Sequence, residues 1–208
     1  MNGVGDFGVY GILTDPLVGY ETLAGIMVDN GVRYIQLRMK EREAAEVRRT
    51  AERLRPIISG GSLFIVNDDP VMARDVGADG VHLGQDDVSY ASARRVLDKE
   101  AIIGLSTHTP EQTRAACAVG PDYIGVGPVY PTPTKKIPDP VIGLEGMKEM
   151  IAGATCPAVA IGGIDLSNLP AVLEHGARNI CAVRCVNRAE DPDAVIREMV
   201  RMLEAFLR

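Results

Sequence analysis

Two short runs in this sequence end apolar stretches in carboxylates. In FIVNDDP, the residues Phe64 to Val66 give way to Asn67, Asp68 and Asp69; in GVHLGQDD, Gly80 to Leu83 give way to Gly84, Gln85, Asp86 and Asp87. Between the runs, Asp69-Pro70 has the form of a helix start, with Asp at the cap and Pro at the first helical position. Asp69 therefore has a local structural task, whereas Asp68 has none and keeps a free carboxylate; Asp87 likewise has no evident packing role. The stretch predicts strand, helix, strand, so the carboxylates close two neighbouring parallel strands. Magnesium is commonly held by one or two carboxylates together with substrate phosphate oxygens. Asp68 with Asp86 or Asp87 makes such a half-site, although acidic loop residues are also ordinary surface features.

Cationic and hydroxyl groups stand at comparable positions. In QLRMK, Gln36, Arg38 and Lys40 alternate with Leu37 and Met39, and period two places the three polar groups on one strand face. The run GPVYPTPTKKIPDPV, residues 127–141, is interrupted by five prolines and predicts a long loop. It offers Thr132, Thr134 and Lys135 to phosphate oxygens. Gly162-Gly163 follows another apolar run, where backbone amides can approach an anion. Of the three histidines, His82 lies within a predicted strand and His175 near a helix end, which makes both structural, and His108 borders a capped turn. No nucleophile–base pair, zinc spacing or nucleotide-binding glycine fingerprint is present. The chemistry indicated is that of phosphate and magnesium without an obvious proton shuttle.

The elements that must position these groups alternate along the whole chain. Strands are predicted at Val9–Leu13, Tyr34–Leu37, Phe64–Val66, Gly80–Leu83, Ile102–Leu105, Tyr123–Val126, Ala158–Ile161 and Asn179–Val183. Helices are predicted over 20–29, 41–58, from Pro70 to Gly77, and over 90–97, then from a capping box at Thr109-Pro110-Glu111-Gln112, over 143–151, over 167–174, and from Asp191-Pro192. GVRYIQL, GADGVHL, GPDYIGV and GARNICA repeat one phrase, a glycine closing a helix before a buried strand. Eight βα units in 208 residues favour one (β/α)8 TIM barrel domain, with an open doubly wound sheet as the alternative. In both folds ligands bind at the carboxyl ends of the strands.

Composition narrows the partners. The chain is 46% hydrophobic with net charge −6 and pI near 5.1, which argues against a broad nucleic-acid footprint and requires a local cationic pocket for any anionic substrate. No apolar run is long enough for a membrane span, and the start MNGVGDFGVYG lacks the pattern of a signal peptide, so a cytoplasmic protein is expected. Cys117, Cys156, Cys181 and Cys185 lack zinc spacing and read as reduced structural thiols. Oligomeric state is left open, a homo-oligomer being compatible.

The ordered motifs QLRMK, IVNDD, GVHLGQDD, GLSTHT, GPVYPTPTKK and AIGGI resemble those of the thiamine phosphate synthase family along nearly the whole chain. The resemblance implies a (β/α)8 barrel transferase using Mg2+. Such an enzyme joins 4-amino-2-methyl-5-pyrimidinylmethyl diphosphate to 4-methyl-5-hydroxyethylthiazole phosphate, giving thiamine phosphate and diphosphate. It further implies Asp68 and Asp87 as metal ligands and Arg38, Lys40 and Lys135 as cations around the diphosphate. Gln36, Asn67 and Ser106 would handle the pyrimidine, and Thr132 and Thr134 the phosphates. Gly163 and the backbone at Val183 and Arg184 would cradle the thiazole phosphate. The chain departs from the family pattern at Arg184, where a small Ser is frequent, and at Met39, where an acidic residue is common. A thiazole tautomerase-like relative, another phosphate-binding barrel isomerase or epimerase, and a non-catalytic phosphate sensor are the competing readings.

Overall fold

The computed structural model describes residues 6–132 and 139–207. Strands β1 (Tyr10–Leu13), β2 (Tyr34–Leu37), β3 (Leu63–Asn67), β4 (Gly80–Leu83), β5 (Ile102–Thr107), β6 (Tyr123–Val126), β7 (Ala158–Ile161) and β8 (Asn179–Cys181) form one sheet in sequence order. Every sequential pair is parallel. A Val9–Ile180 bridge and the Ile180 N–H to Gly8 carbonyl bond, 2.9 Å, join β8 to β1 and close the ring. The architecture is the (β/α)8 barrel.

Helices α1 (Tyr20–Asp29), α2 (Ala44–Leu54), α3 (Pro70–Asp75), α4 (Tyr90–Val96), α5 (Pro110–Ala118), α6 (Gly143–Gly153) and α7 (Leu169–Glu174) follow successive strands, and α8 (Val183–Asn187) and α9 (Pro192–Leu207) follow β8. Alternation along each strand divides the apolar residues into two clusters. Leu13, Ile35, Leu37, Phe64, Val66 and their counterparts pack outward against the helices. Tyr10, Ile12, Tyr34, Ile65, Tyr123, Val159 and Cys181 fill the barrel interior. Gly104 stands beside Tyr123 in the β5–β6 register, and any side chain there would collide with the Tyr123 ring.

Caps fall where the sequence places them. The Asp69 carboxylate accepts from the Val71 and Met72 amides, both at 2.9 Å, and Thr109 Oγ1 accepts from the Gln112 amide at 3.2 Å. At the amino ends of the strands, Asp79 accepts from the Phe64 amide at 2.7 Å, Asp122 from Ile103 at 2.8 Å, and Asn179 from Phe7 at 2.7 Å. Residues at the bases of even-numbered strands thus fasten their odd-numbered neighbours.

Several elements differ from expectation by a residue or two at their ends, and α2, β5 and β8 differ most consequentially. Helix α2 starts at Ala44 rather than Glu41, because Glu41 takes a left-handed φ of 63°; it ends at Leu54 rather than Ile58. Strand β5 runs on to Thr107, which puts Ser106 inside the strand. Strand β8 stops at Cys181, and Val183 instead begins the short helix α8, held by Asn187 Nδ2 donating to the Ile12 carbonyl at 2.7 Å and to the Val183 carbonyl at 2.8 Å. Among the described residues no helix is long and apolar enough to cross a membrane.

Candidate active site

A cavity of about 810 Å³ opens at the carboxyl end of the barrel. Of the expected site residues, Gln36, Arg38, Lys40, Asn67, Asp68, Asp87, Ser106, Thr132, Gly163, Val183 and Arg184 all line it. Thr134 and Lys135 lie outside the described residues.

Strand β2 delivers its polar face as period two requires. Gln36 is buried at 2% exposure, Arg38 is half-buried and Lys40 is exposed at the rim, so polarity and access increase together towards the mouth. Met39 points the other way and packs against the outer core. Burial pulls the Arg38 guanidinium below its ordinary pKa, an effect that Asp68 partly offsets. An anion brought against Arg38 would offset it further.

Asp68 departs from the free carboxylate expected. Its Oδ2 lies 2.5 Å from Lys40 Nζ. Its amide donates to the His82 carbonyl at 2.8 Å, and the next amide, Asp69 N–H, reaches back to the Asn67 carbonyl at 2.9 Å. That bond across one residue, with Asp68 at φ 67°, is a γ-turn of the uncommon left-handed sign. The turn directs the carboxylate into the cavity rather than along the surface. Burial raises the Asp68 pKa and the adjacent Asp87 carboxylate raises it further, while Lys40 pulls it back. The net direction is upward, so Lys40 offsets only part of the combined effect of burial and the second carboxylate.

The structure also separates Asp87 from Asp86. Asp86 is exposed and does not line the cavity, whereas Asp87 is partly buried, faces Asp68 and accepts from the Gly84 amide at 2.6 Å. Asp87 therefore has a local task after all, clipping the turn after β4. Two crowded carboxylates, one with a raised pKa, form a donor set that a hard divalent cation suits, so the residues present fit magnesium.

The opposite wall is made of glycines and α8. Gly162 and Gly163 have φ values of 100° and 65°, and a Cβ at either would come within 2.6 Å of Pro128 or Tyr130 respectively. They are glycines because the loop after β6 packs directly on their backbone. That loop leaves β6 through a cis Gly127–Pro128 bond. Arg184, on α8, is exposed and faces both the cavity and Asp165, whose carboxyl is held low first by the Ser167 hydroxyl and, more weakly, by Arg184 itself.

The floor holds groups that sequence reasoning passed over. His82 is satisfied at both ring nitrogens, as a structural histidine should be, yet it also lines the cavity: Nδ1 lies 3.0 Å from Tyr123 Oη and Nε2 lies 2.9 Å from Ser106 Oγ. Tyr10 and Tyr123 line it too. One signal was available in the sequence, because His82 alternates with the apolar Val81 and Leu83 and so takes the opposite face, and the register then sets it beside Asn67. His108 bonds the Gly127 carbonyl through Nδ1 at 2.6 Å and holds the start of the β6 loop.

Fold and site together define a (β/α)8 barrel whose mouth gathers Arg38, Lys40, Asp68 and Asp87 around one cavity. The family model described as thiamine monophosphate synthase matches residues 17–186. The chain belongs to the thiamine monophosphate synthase family. It is 49% identical over 163 residues to the thiamine-phosphate synthase of Gloeobacter violaceus, covering 78% of this chain but only 48% of that relative, about half its length. It is 41% identical to the thiamine-phosphate synthase of Caldicellulosiruptor bescii, covering 88% of this chain and 84% of the relative. The solved thiamine phosphate pyrophosphorylase from Pyrococcus furiosus superposes with a TM-score of 0.88 at 32% identity, over 99% of both chains. A 3-hexulose-6-phosphate synthase, with TM-score 0.67 at 18% identity, shares the fold alone.

Proposed function

We propose that this chain condenses 4-amino-2-methyl-5-pyrimidinylmethyl diphosphate with 4-methyl-5-hydroxyethylthiazole phosphate, forming thiamine phosphate and releasing diphosphate. The family and relatives named thiamine-phosphate synthase support the transferase reaction. The observation that carries the site assignment is the cluster of Arg38, Lys40, Asp68 and Asp87 at one rim of a single cavity.

In this reading Arg38 and Lys40, with Lys135 from the β6 loop, take the diphosphate and stabilise the charge that grows on it as its bond to the pyrimidine methylene breaks. Asp68 and Asp87 would hold Mg2+, which when bound supplies further neutralisation of the diphosphate oxygens. Gln36, Asn67 and Ser106 orient the pyrimidine, whose amino group assists departure of the diphosphate. Thr132 and Thr134 bind phosphate oxygens. Gly163 and the α8 backbone at Val183 and Arg184 hold the thiazole phosphate so that its ring nitrogen meets the methylene carbon. That nitrogen carries no proton to lose, which accounts for a site without a dedicated general base. Catalysis then rests on charge stabilisation and alignment. A cytoplasmic location belongs to the same reading, supported by four cysteines that are all free thiols.

The test is product formation from the two substrates with and without Mg2+, following thiamine phosphate and diphosphate separately. Metal-dependent release of both in equal amounts is expected. Binding of the thiazole phosphate without coupling would replace the synthase with a sensor or an isomerase.

A further inference from the structure

Five side chains from five strands form one continuous hydrogen-bonded line across the cavity floor. Gln36 Nε2 donates to Tyr10 Oη at 2.9 Å, Tyr10 Oη meets Tyr123 Oη at 2.6 Å, Tyr123 Oη meets His82 Nδ1 at 3.0 Å, and His82 Nε2 meets Ser106 Oγ at 2.9 Å. Each phenol has one proton to give. Burial pushes both phenols far above their ordinary pKa, so both keep that proton. Once Gln36 donates to Tyr10, the direction of every later link is therefore set. Tyr10 donates to Tyr123, and Tyr123 donates to His82 Nδ1. A neutral His82 then carries its proton on Nε2 and donates to Ser106, whose own proton is turned to the cavity. At the other end Gln36 presents its carbonyl oxygen.

With His82 neutral, the line has one other fully satisfied state, with every link reversed. Gln36 would then present its amide N–H groups, and Ser106 would give its proton to His82 and present oxygen lone pairs. The two ends are thus not independent: an acceptor at Gln36 is coupled to a donor at Ser106, and a donor at Gln36 to an acceptor at Ser106. Mixed states of the neutral line either leave a buried phenol proton without an acceptor or set the two phenol oxygens face to face with no proton between them, a substantial cost in a low-dielectric interior.

We infer that this line is a specificity device that presents a matched acceptor and donor to the pyrimidine ring, with Tyr10, Tyr123 and His82 as positioning residues. The direction set by the Gln36 donor suits a 4-aminopyrimidine edge, in which an N–H donor neighbours an unprotonated ring nitrogen. A 4-oxopyrimidine has a carbonyl acceptor beside a protonated ring nitrogen, and would require all five groups to reverse. The inference rests on the pyrimidine diphosphate reading of the site.

The experiment compares wild type with Tyr123→Phe, Tyr10→Phe and the double variant. It measures KM and kcat for the 4-amino substrate, inhibition by its 4-oxo analogue, and KM for the thiazole phosphate. Cutting the line once should lower the preference for amino over oxo by roughly tenfold, with KM for the thiazole phosphate unchanged. The double variant should be no worse than either single variant, because a line already cut has no more coupling to lose. An unchanged preference in both single variants, or additive losses in the double, would overturn the inference while leaving the synthase intact. A proportional rise in every KM with a fall in Tm would assign the tyrosines a structural role instead, which also overturns it. Absence of turnover by wild type would overturn the synthase reading and the inference with it.

Discussion

The two ends of this barrel use aspartates in opposite ways. At the base, Asp79 accepts from the Phe64 amide and takes both guanidinium nitrogens of Arg55, at 3.1 and 3.2 Å, so its charge is matched by donors. At the mouth, Asp68 stands in a left-handed turn, partly buried and beside a second carboxylate, and its pKa is raised despite the lysine against it. The base acid holds strands together. The mouth acid adds electrostatic and backbone cost to the folded chain, the pattern of a group retained for what it binds.

The largest effect is expected from neutralising the mouth acid. Asp68→Asn should lower kcat/KM by roughly a hundredfold or more in saturating Mg2+, with Tm unchanged or higher. The sign follows from the raised pKa. A carboxyl that holds its proton more tightly when folded destabilises the fold where it is ionised, above that raised pKa, and the penalty lifts as pH falls through it. The Lys40 pair, half exposed at the rim, offsets only part of this. A stability optimum that stays at the same pH in the variant would contradict that assignment.

At the base the order reverses. Asp79→Asn should cost about 2 kcal/mol, because it weakens charge-assisted bonds to Phe64 and Arg55, which corresponds to roughly 4–8 °C in Tm for a chain of this size. Turnover per folded molecule should be unchanged, as thermal melts and assays at low temperature would reveal. A loss of turnover without a loss of Tm would erase the contrast between the two ends.

The smallest effect is expected where the mouth is most exposed. Arg184→Ala should raise KM for the thiazole phosphate by about threefold, the scale of a solvent-screened contact, and leave kcat alone. An unchanged KM would place the Arg184 guanidinium with Asp165 rather than with substrate.

Much of this site was legible before any coordinates, and the successes share a local cause. The period of two that sends Gln36, Arg38 and Lys40 inward is fixed by the pleat of one strand, and the Asp69 and Thr109 caps by their own turns. Eight repeats of strand and helix then predict the barrel, and closing it brings the strand ends around one mouth.

The remainder depended on contacts between distant segments. Val183 reads as the end of a strand because Val is β-branched; it opens a helix here because Asn187 can reach the Ile12 carbonyl at the far side of the sequence. Asp86 and Asp87 are indistinguishable as adjacent letters, and only the turn that bonds Asp87 to the Gly84 amide decides which one faces Asp68. Tyr10 and Tyr123 carry no motif of their own. Their phenol oxygens meet because β1 and β6 face each other across a closed barrel and Gly104 leaves room for the ring between them. The sequence alone determined which groups point inward, since that is a property of each strand. Which inward groups touch was decided only by the tertiary structure, because those contacts depend on the register and closure of all eight strands at once.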